Sequence, residues 1–289
     1  LERRKGGLQK GTTPRQEADY PIFKSGIFNG KSTGFPLTIL FKNNNFRSED
    51  YQEQRAIPRP GHADWVAHQK FGGNEDYRGG GHFSARLTTG IVAAGAIAKM
   101  LIPQIIISAK VISIGGETDL EKGLQNAIDA KDSVGGIVEC KVTGLPVGLG
   151  EPYFNSLESM LSHIMFSIPA VRGIEFGTGF QAANMFGSEH NDAIENNEGK
   201  TTTNHAGGIV GGISNGNELV FRLAIKPTSS TPKNQQSLNW ETGEVEDFSI
   251  KGRHDLCVAL RAPVIVEAAT ALVLVDCMMY EQLIPRIIK

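Results

Sequence analysis

At 289 residues the chain is long enough for one large domain or two closely packed halves. Hydrophobic residues at 40% and charged residues at 21% describe an ordinary globular chain, and 29 basic against 31 acidic side chains, a net charge of −2, exclude the overall basic character of a nucleic-acid binder. The apolar run "AATALVLV" at 268–275 falls well short of the ~20 residues of a membrane helix, so neither nucleic acid nor membrane is an expected partner.

The chain opens on "LERRKGG", which reads as the end of a helix running into Gly6 and Gly7 with basic residues in its last turn. No signal-peptide segment precedes it, and an amino-terminal piece is expected to be missing. Arg3, Arg4, Lys5, Lys10 and Arg15 follow one another with almost no apolar residue between them. Such a stretch is either a solvated basic loop or a grip for anions.

"SGIFNGKST" has the Gly-Lys-Ser of a phosphate loop, but the first glycine of that motif would fall at Ser25. "FPLTILF" at 35–41 is predicted to be a strand. Next comes "RPGHADW", in which His62 sits between Gly61 and Ala63 where neither helix nor strand propensity favours it. "YRGGGHFSAR" then gathers Gly79, Gly80 and Gly81 beside His82, marking backbone that turns tightly or approaches a ligand closely.

"LTTGIVAAGAIAKML" is nearly apolar all round and predicts a buried helix, as does "APVIVEAATALVLVDCMM" further on. Each follows a basic, histidine-bearing loop, a weak echo of internal duplication. Between them, "IVECKV" at 137–142 and "LVFRLAI" at 219–225 read as strands. "SLESMLSHIMF" spaces Leu157, Met160, Leu161, Ile164 and Met165 as a helix does. "GTGFQA" at 177–182 fits a dinucleotide fingerprint in its glycines, but a polar loop follows where an amphipathic helix is required. The expected architecture is α+β, a layered β-α-β sandwich, in a single domain over 1–289.

Cys140, Cys257 and Cys277 are widely spaced with no CxxC pair, which predicts buried free thiols in a reducing cytoplasm. No zinc pattern such as HExxH occurs. What remains is a set of loops rich in residues that bind phosphate and carboxylate: the amino-terminal basic stretch, Ser84 to Arg86, "KPTSS" at 226–230 and "GRHD" at 252–255. In a chain with net negative charge they point to a ligand, or two, carrying several anionic groups.

Several long stretches together resemble the successive signature blocks of the chorismate synthase family. They are "RPGHADW" with "KFGGNEDYRGGGHFSARLTTGIVAAGAIA", "GLGEPYFNSLESMLSHIMFSIPAVRGIEFGTGF", "TNHAGGIVGGISNG", "KPTSS" and "GRHDLCVALRAPVIVEA". The resemblance implies the β-α-β sandwich assembled as a homotetramer, and the last step of the shikimate pathway. In that step 5-enolpyruvylshikimate 3-phosphate loses phosphate and a ring proton by 1,4-anti elimination to give chorismate, on reduced FMN that is needed but not consumed.

Carried over residue by residue, the resemblance makes His62 a general acid for the departing phosphate and Asp255 the carboxylate near flavin N5 that helps pass on the ring proton. It assigns Arg4, Lys10 and Arg15 to the substrate's anions, or to NADPH as a candidate reductant, while Arg59 offers a fork for an anionic group. It assigns His82, Phe83, Ser84, Arg86, Pro169, Ala170, Gly211, Lys226, Pro227, Thr228, Ser229, Ser230 and Arg253 to FMN. His82, Phe83 and Leu87 depart from the usual arginine, serine and glutamate of their block. The family's first block, with its other catalytic histidine, has no match in the sequence. Two other classes stay open at this point: a flavin oxidoreductase using NADPH, and a non-catalytic anion-binding protein on the same fold. A salt bridge to Arg253 or His254 is the rival reading of Asp255.

Overall fold

The structure, a computed structural model, describes residues 1–7, 9–14, 17–43, 56–250, 254–285 and 287. The amino-terminal part is built of small ribbons. Strands β1 (Ile22–Ser25) and β4 (Thr38–Leu40) pair antiparallel, as do the two-residue β2 (Ile27–Phe28) and β3 (Lys31–Ser32) between them. Helix α1 (Asp64–Phe71) follows the His62 loop, and two short 3-10 turns, Arg78–Phe83 and Ala85–Leu87, lead into α2 (Thr88–Leu101).

The centre of the fold is a four-stranded antiparallel sheet. Strand β5 (Ile106–Ile114) leads through α3 (Leu120–Asp129) to β6 (Gly136–Thr143), and α4 (Leu157–Met165) leads to β7 (Val171–Phe176). After the short α5 (Gly187–His190) and the ribbon of β8 (Ile209–Val210) and β9 (Ile213–Ser214), β10 (Leu219–Ile225) enters between β6 and β7, giving the order β5-β6-β10-β7. The hairpin of β11 (Gln235–Leu238) and β12 (Val245–Phe248) lies apart from that sheet, and α6 (Pro263–Tyr280) closes the core.

Inward residues alternate along the strands, as a sheet with one covered face requires. Val138, Cys140 and Val142 of β6 and Leu219, Phe221 and Leu223 of β10 are all completely buried. Helices α2, α4 and α6 supply the opposing layer. Helix α6 is long and apolar enough to cross a membrane by length and composition alone, but Val266, Ala269, Ala271 and Leu274 are enclosed by the protein, which accounts for its composition. Helices α2 and α6 approach so closely that a Cβ on Gly95 would lie 2.4 Å from the Ala268 Cα, so the glycine is a packing requirement.

The predicted helices of the sequence correspond to α2, α4 and α6, and two of the predicted strands to β6 and β10. The predicted strand at 35–41 is shorter, restricted to Thr38–Leu40. Among the described residues its only partner is another short, largely exposed strand, and Pro36 has no N–H to extend the ladder. All three cysteines are free and buried, and the mixture of helices with antiparallel strands is α+β.

Candidate functional site

The loop carrying His62 is set by a tight turn in which the His62 N–H donates to the Arg59 carbonyl (3.1 Å), with Gly61 at φ 70°. Helix α1 then starts at Asp64, whose carboxylate turns back over the loop. It accepts the Arg59 backbone N–H (3.0 Å), Arg59 Nε (2.7 Å) and an Arg59 terminal nitrogen (2.8 Å). His62 Nδ1 lies 2.5 Å from Asp64 Oδ1 and 3.0 Å from the same Arg59 nitrogen. Burial alone would raise the Asp64 carboxyl, but the hydrogen bonds and charges of Arg59 and His62 outweigh it and hold the group well below the usual carboxylate range.

A second loop holds this turn from the opposite side. As β10 ends, the Lys226 N–H donates to the carbonyl of Ala170 (2.9 Å), itself at φ 74°. Lys226 Nζ donates to the Gly61 carbonyl (2.5 Å) and Ser229 Oγ (3.0 Å), and the Ser229 hydroxyl also donates to the Gly61 carbonyl (2.8 Å). Burial, then the positive charge of Arg172, lowers the Lys226 ammonium from its ordinary range. The hairpin of β11 and β12 adds a hydrogen bond from the Ser237 hydroxyl to the Pro58 carbonyl (2.5 Å). Together Arg59, His62, Trp65, Ser237 and Leu238 line an open pocket of ≈390 Å³.

An adjoining cleft of ≈170 Å³ is more polar. Its walls carry Arg4, Arg86 and Arg261 together with Asp19, Asp255 and His254. Arg4 is only 3% exposed and is fixed by Thr88 Oγ1 (3.0 Å), Asp19 Oδ2 (3.2 Å) and the Ala85 carbonyl (2.9 Å). Burial and the neighbouring Arg261 lower its guanidinium to about 10, Asp19 working against them. The other Asp19 oxygen accepts from Arg86 (2.8 Å), which also reaches the Lys42 carbonyl (2.9 Å).

Asp255 accepts the Thr13 N–H on Oδ1 (2.9 Å) and Arg261 on Oδ2 (3.0 Å), while Arg261 Nε donates to the Arg4 carbonyl (2.9 Å). The neighbouring His254 lies in the fields of both groups of residues. Burial first, then the charges of Arg59 and His62, lower it, and Asp255 opposes them. Beneath the cleft, Ile168, Pro169, Ile225 and Val258 form an apolar floor between Arg4 and Arg261.

Of the residues singled out from the sequence, Arg4, Ser84, Arg86, Thr228 and Asp255 line the polar cleft. Arg59, His62, Lys226, Ser229 and Ser230 form the adjoining cluster, with Ser230 Oγ 3.5 Å from Arg59. Ala170 and Pro169 lie at its edge, and Pro227 lies close against Gly135, 3.2 Å from where a Cβ would stand. Lys10 is elsewhere, its ammonium donating to Gln125 of α3 (2.9 Å). His82 and Phe83 are exposed on a 3-10 turn, and Gly211 occupies the exposed bend between β8 and β9. Arg15 and Arg253 lie outside the described residues.

Four further groups belong to the site: Asp19, Asp64, His254 and Arg261. The spacing of Asp64 two residues after His62 was a usable signal, and His254 stands beside Asp255. Nothing local marks Asp19, whose burial at φ 48° arises only when the amino-terminal segment closes over Arg4 and Arg86. Among the described residues, the ion-pair partner of Asp255 is Arg261, through the geometry of the turn that precedes α6.

Comparison with known proteins identifies the family. The profile of the family described as chorismate synthase matches residues 1–279. A chorismate synthase of Chitinophaga pinensis is 63% identical over 290 aligned residues, covering 100% of this chain and 87% of that protein. One of Dehalococcoides mccartyi is 42% identical, covering 100% of this chain and 88% of its own length. A solved structure titled "Crystal Structure of Chorismate Synthase" superimposes with a TM-score of 0.70 at 24% identity, over 97% of this chain and 81% of the other, and so shares the fold. With a matching profile and a 63% identical relative, both aligned over nearly all of its length, the chain belongs to the chorismate synthase family of phosphate-eliminating lyases.

Proposed function

We propose that the polar cleft and the His62 loop together form the active site for the 1,4-anti elimination of phosphate from 5-enolpyruvylshikimate 3-phosphate, with reduced FMN bound beside the substrate. The observation that carries this reading is the convergence of Arg4, Arg86 and Arg261 on one cleft whose neighbouring wall leads to His62. Asp19 and Asp255 neutralise part of that charge, so a cleft that can meet a substrate with three anionic groups sits in a protein that is not electropositive overall.

The residues present fit an anionic, partly aromatic cofactor. The Thr228 hydroxyl oxygen, in a residue lining the cleft, is buried with no hydrogen-bond partner, and a buried hydroxyl calls for one. Lys226, Ser229 and Ser230 on the same loop supply an ammonium and two hydroxyls, and Pro169 contributes to an apolar floor. When bound, the reduced flavin supplies the reducing character that the elimination needs and is not consumed by it.

The chain's own groups then have separate tasks. Arg4, Arg86 and Arg261 orient the substrate's carboxylates and phosphate; His62 donates a proton to an oxygen of the departing phosphate, a role suited to an imidazole near neutral pH. Asp255 receives the ring proton on its way out of the site. NADPH is the candidate external reductant, a homotetramer is the assembly, and the free thiols of Cys140, Cys257 and Cys277 suit a reducing cytoplasm. An anaerobic assay with dithionite-reduced FMN tests the central claim. Phosphate is released without net oxidation of flavin; one flavin oxidised per phosphate released would favour an oxidoreductase instead.

A further inference from the structure

We propose that Asp64 is the positioning residue for His62, and that Arg59 serves Asp64 rather than gripping substrate. The inference rests on the reading of His62 as a general acid but stands on its own geometry. His62 Nδ1 and Asp64 Oδ1 are 2.5 Å apart. Were Nδ1 unprotonated, its lone pair would face a carboxylate lone pair at that distance, which is repulsive, so Nδ1 carries a hydrogen and donates it to Asp64.

Arg59 stands 3.0 Å from the same Nδ1, and a bare ring nitrogen would accept from it in the opposite tautomer. Two observations decide between the tautomers. The contact to Asp64 is the shorter, and a bare Nδ1 would set its lone pair against an anionic oxygen at 2.5 Å, whereas a protonated Nδ1 only leaves unused the second hydrogen of an Arg59 nitrogen whose first is held by Asp64 Oδ1 at 2.8 Å. The Arg59 guanidinium is 9% exposed and takes both carboxylate oxygens, with its own backbone N–H adding a third bond. The edge of the guanidinium formed by Nε and one terminal nitrogen is occupied by Asp64, and the other terminal nitrogen lies 3.5 Å from Ser230 Oγ, so the bidentate fork itself serves Asp64.

The chemical consequence concerns the other ring nitrogen. With Nδ1–H fixed on Asp64, Nε2 is left to face the open pocket that His62 lines. In the acidic state both nitrogens are protonated. Transfer of the Nε2 proton to a phosphate oxygen leaves a neutral ring whose remaining hydrogen is still on Nδ1, so no tautomer exchange is needed after the step. Arg59 keeps Asp64 ionised while sharing its charge, so the imidazolium is oriented without being locked into an isolated ion pair. Among the described residues, the other titratable groups facing this unit are His254, in the field of His62, and Lys226, bound to the Gly61 carbonyl.

The test uses the full chain with FMN bound and ¹⁵N-labelled histidine, the His62 resonances being assigned by their loss in His62→Ala. The expected parent spectrum has Nδ1 protonated in the neutral ring; a bare Nδ1 would overturn the proposal. In Asp64→Asn, kcat is expected to fall roughly 10- to 100-fold, part of the 10²–10⁴ that a positioned acid contributes. The substrate KM changes far less, the alkaline limb of the kcat profile moves to lower pH, and Asp64→Glu recovers part of the rate.

Asp64→Asn deprives the buried Arg59 guanidinium of its carboxylate, a change that costs stability, so Asp64→Asn combined with Arg59→Met provides the second arm. Without an orphaned charge the fold is expected to survive while the rate defect persists. Parent kcat in that combination would reduce Asp64 to a structural ion-pair partner and sink the idea. If His62→Ala instead turned over at the parent rate, the general-acid reading would fail, and the ¹⁵N shifts would still decide whether Asp64 fixes the ring.

Discussion

Lys226 and Gly61, 165 positions apart in the sequence, are joined by a hydrogen bond from the ammonium to the carbonyl oxygen, so the loop after β10 anchors the turn that presents His62. Ser229 reinforces the contact through its own hydroxyl at 2.8 Å. Lys226→Met should therefore loosen the His62 loop and remove a cation from the proposed flavin site together. A lost hydrogen bond to a charged group is worth about 1.5–3 kcal/mol. Turnover and FMN affinity are both expected to drop, whereas Ser229→Ala, which leaves the ammonium in place, should alter either by only a few fold. Flavin titration and steady-state kinetics on the two variants check this.

Arg4 invites a different expectation from that of a free substrate clamp. Its guanidinium is bonded to Thr88, Asp19 and Ala85, and its carbonyl holds Arg261. Arg4→Ala would leave the Asp19 carboxylate, 2% exposed, with Arg86 as its remaining ion-pair partner. Breaking one partner from a buried pair costs about 3–5 kcal/mol, and Arg86 should keep the loss near the lower end. Urea unfolding is expected to reveal that loss alongside a raised KM. A raised KM at unchanged stability would mean that Arg4 binds substrate without supporting the fold.

The large elements were legible because their patterns come from repeated burial. Leu157, Leu161 and Met165 mark α4 at helical spacing, and all three are completely enclosed. Strand β5 is harder to read: three isoleucines at 105–107 interrupt its alternation, and its inward Ala109 is too small to stand out. At the site, the Pro-Gly-His loop and "KPTSS" are marked by composition, so the residues were visible one loop at a time. Which charge meets which was not. Arg59 with Asp64 and Asp255 with Arg261 meet within a single loop or turn whose shape the sequence does not spell out, and Arg4 with Asp19 meets only when the amino-terminal segment closes on itself. The chain thus announces its cations, while the fold decides how many are already neutralised.

Glu267 gives a pH-dependent stability test away from the cleft. Only 5% of its side chain is exposed, and it accepts from Arg3, Lys99 and the Ala109 N–H. Burial would raise this carboxyl, but the hydrogen bonds of Arg3, Lys99 and Ala109 and the Lys99 charge lower it. In the unfolded chain a glutamate takes up its proton near pH ~4.3. Below that pH the unfolded state holds more protons than the folded one, so stability falls as pH falls. The contribution is fully present above ~4.3 and disappears as pH drops through the lowered folded value. Arg3 is 59% exposed and its share is screened, so Glu267→Gln should cost about 1.5–3 kcal/mol at neutral pH. Urea unfolding from pH 7 down to well below ~4.3 should find the gap from the parent narrowing at the acid end; a constant gap over that whole range would mean that the carboxylate charge is not what stabilises.

Asp255 and His62 are separable by isotope effect because the proposed chemistry gives them different protons. Asp255 is fixed from two sides, by the Thr13 N–H and by Arg261, and only 13% of its side chain is exposed. Each carboxylate oxygen keeps a lone pair for a proton arriving from the cleft. In Asp255→Asn the amide NH2 must face either Thr13 N–H or the Arg261 guanidinium, donor against donor, so a stability loss of about 1–3 kcal/mol is expected with any change in rate. Stability alone therefore cannot identify its role. If Asp255 receives the ring proton, the asparagine variant should turn over more slowly and show a larger slowing with deuterium at the substrate's C6, since removal of that hydrogen becomes more rate-limiting. His62→Ala should cost about 10²–10⁴ in kcat through loss of a general acid, with no such isotope enhancement and with flavin affinity retained. Measuring kcat, FMN Kd and the C6 isotope effect for both variants separates the two tasks. A parent-like rate and isotope effect in Asp255→Asn, beside a lowered stability, would leave Asp255 as a brace for Arg261 and the Arg4 segment, and the acceptor of the ring proton would have to be sought among the other titratable groups lining the cleft, beginning with its neighbour His254.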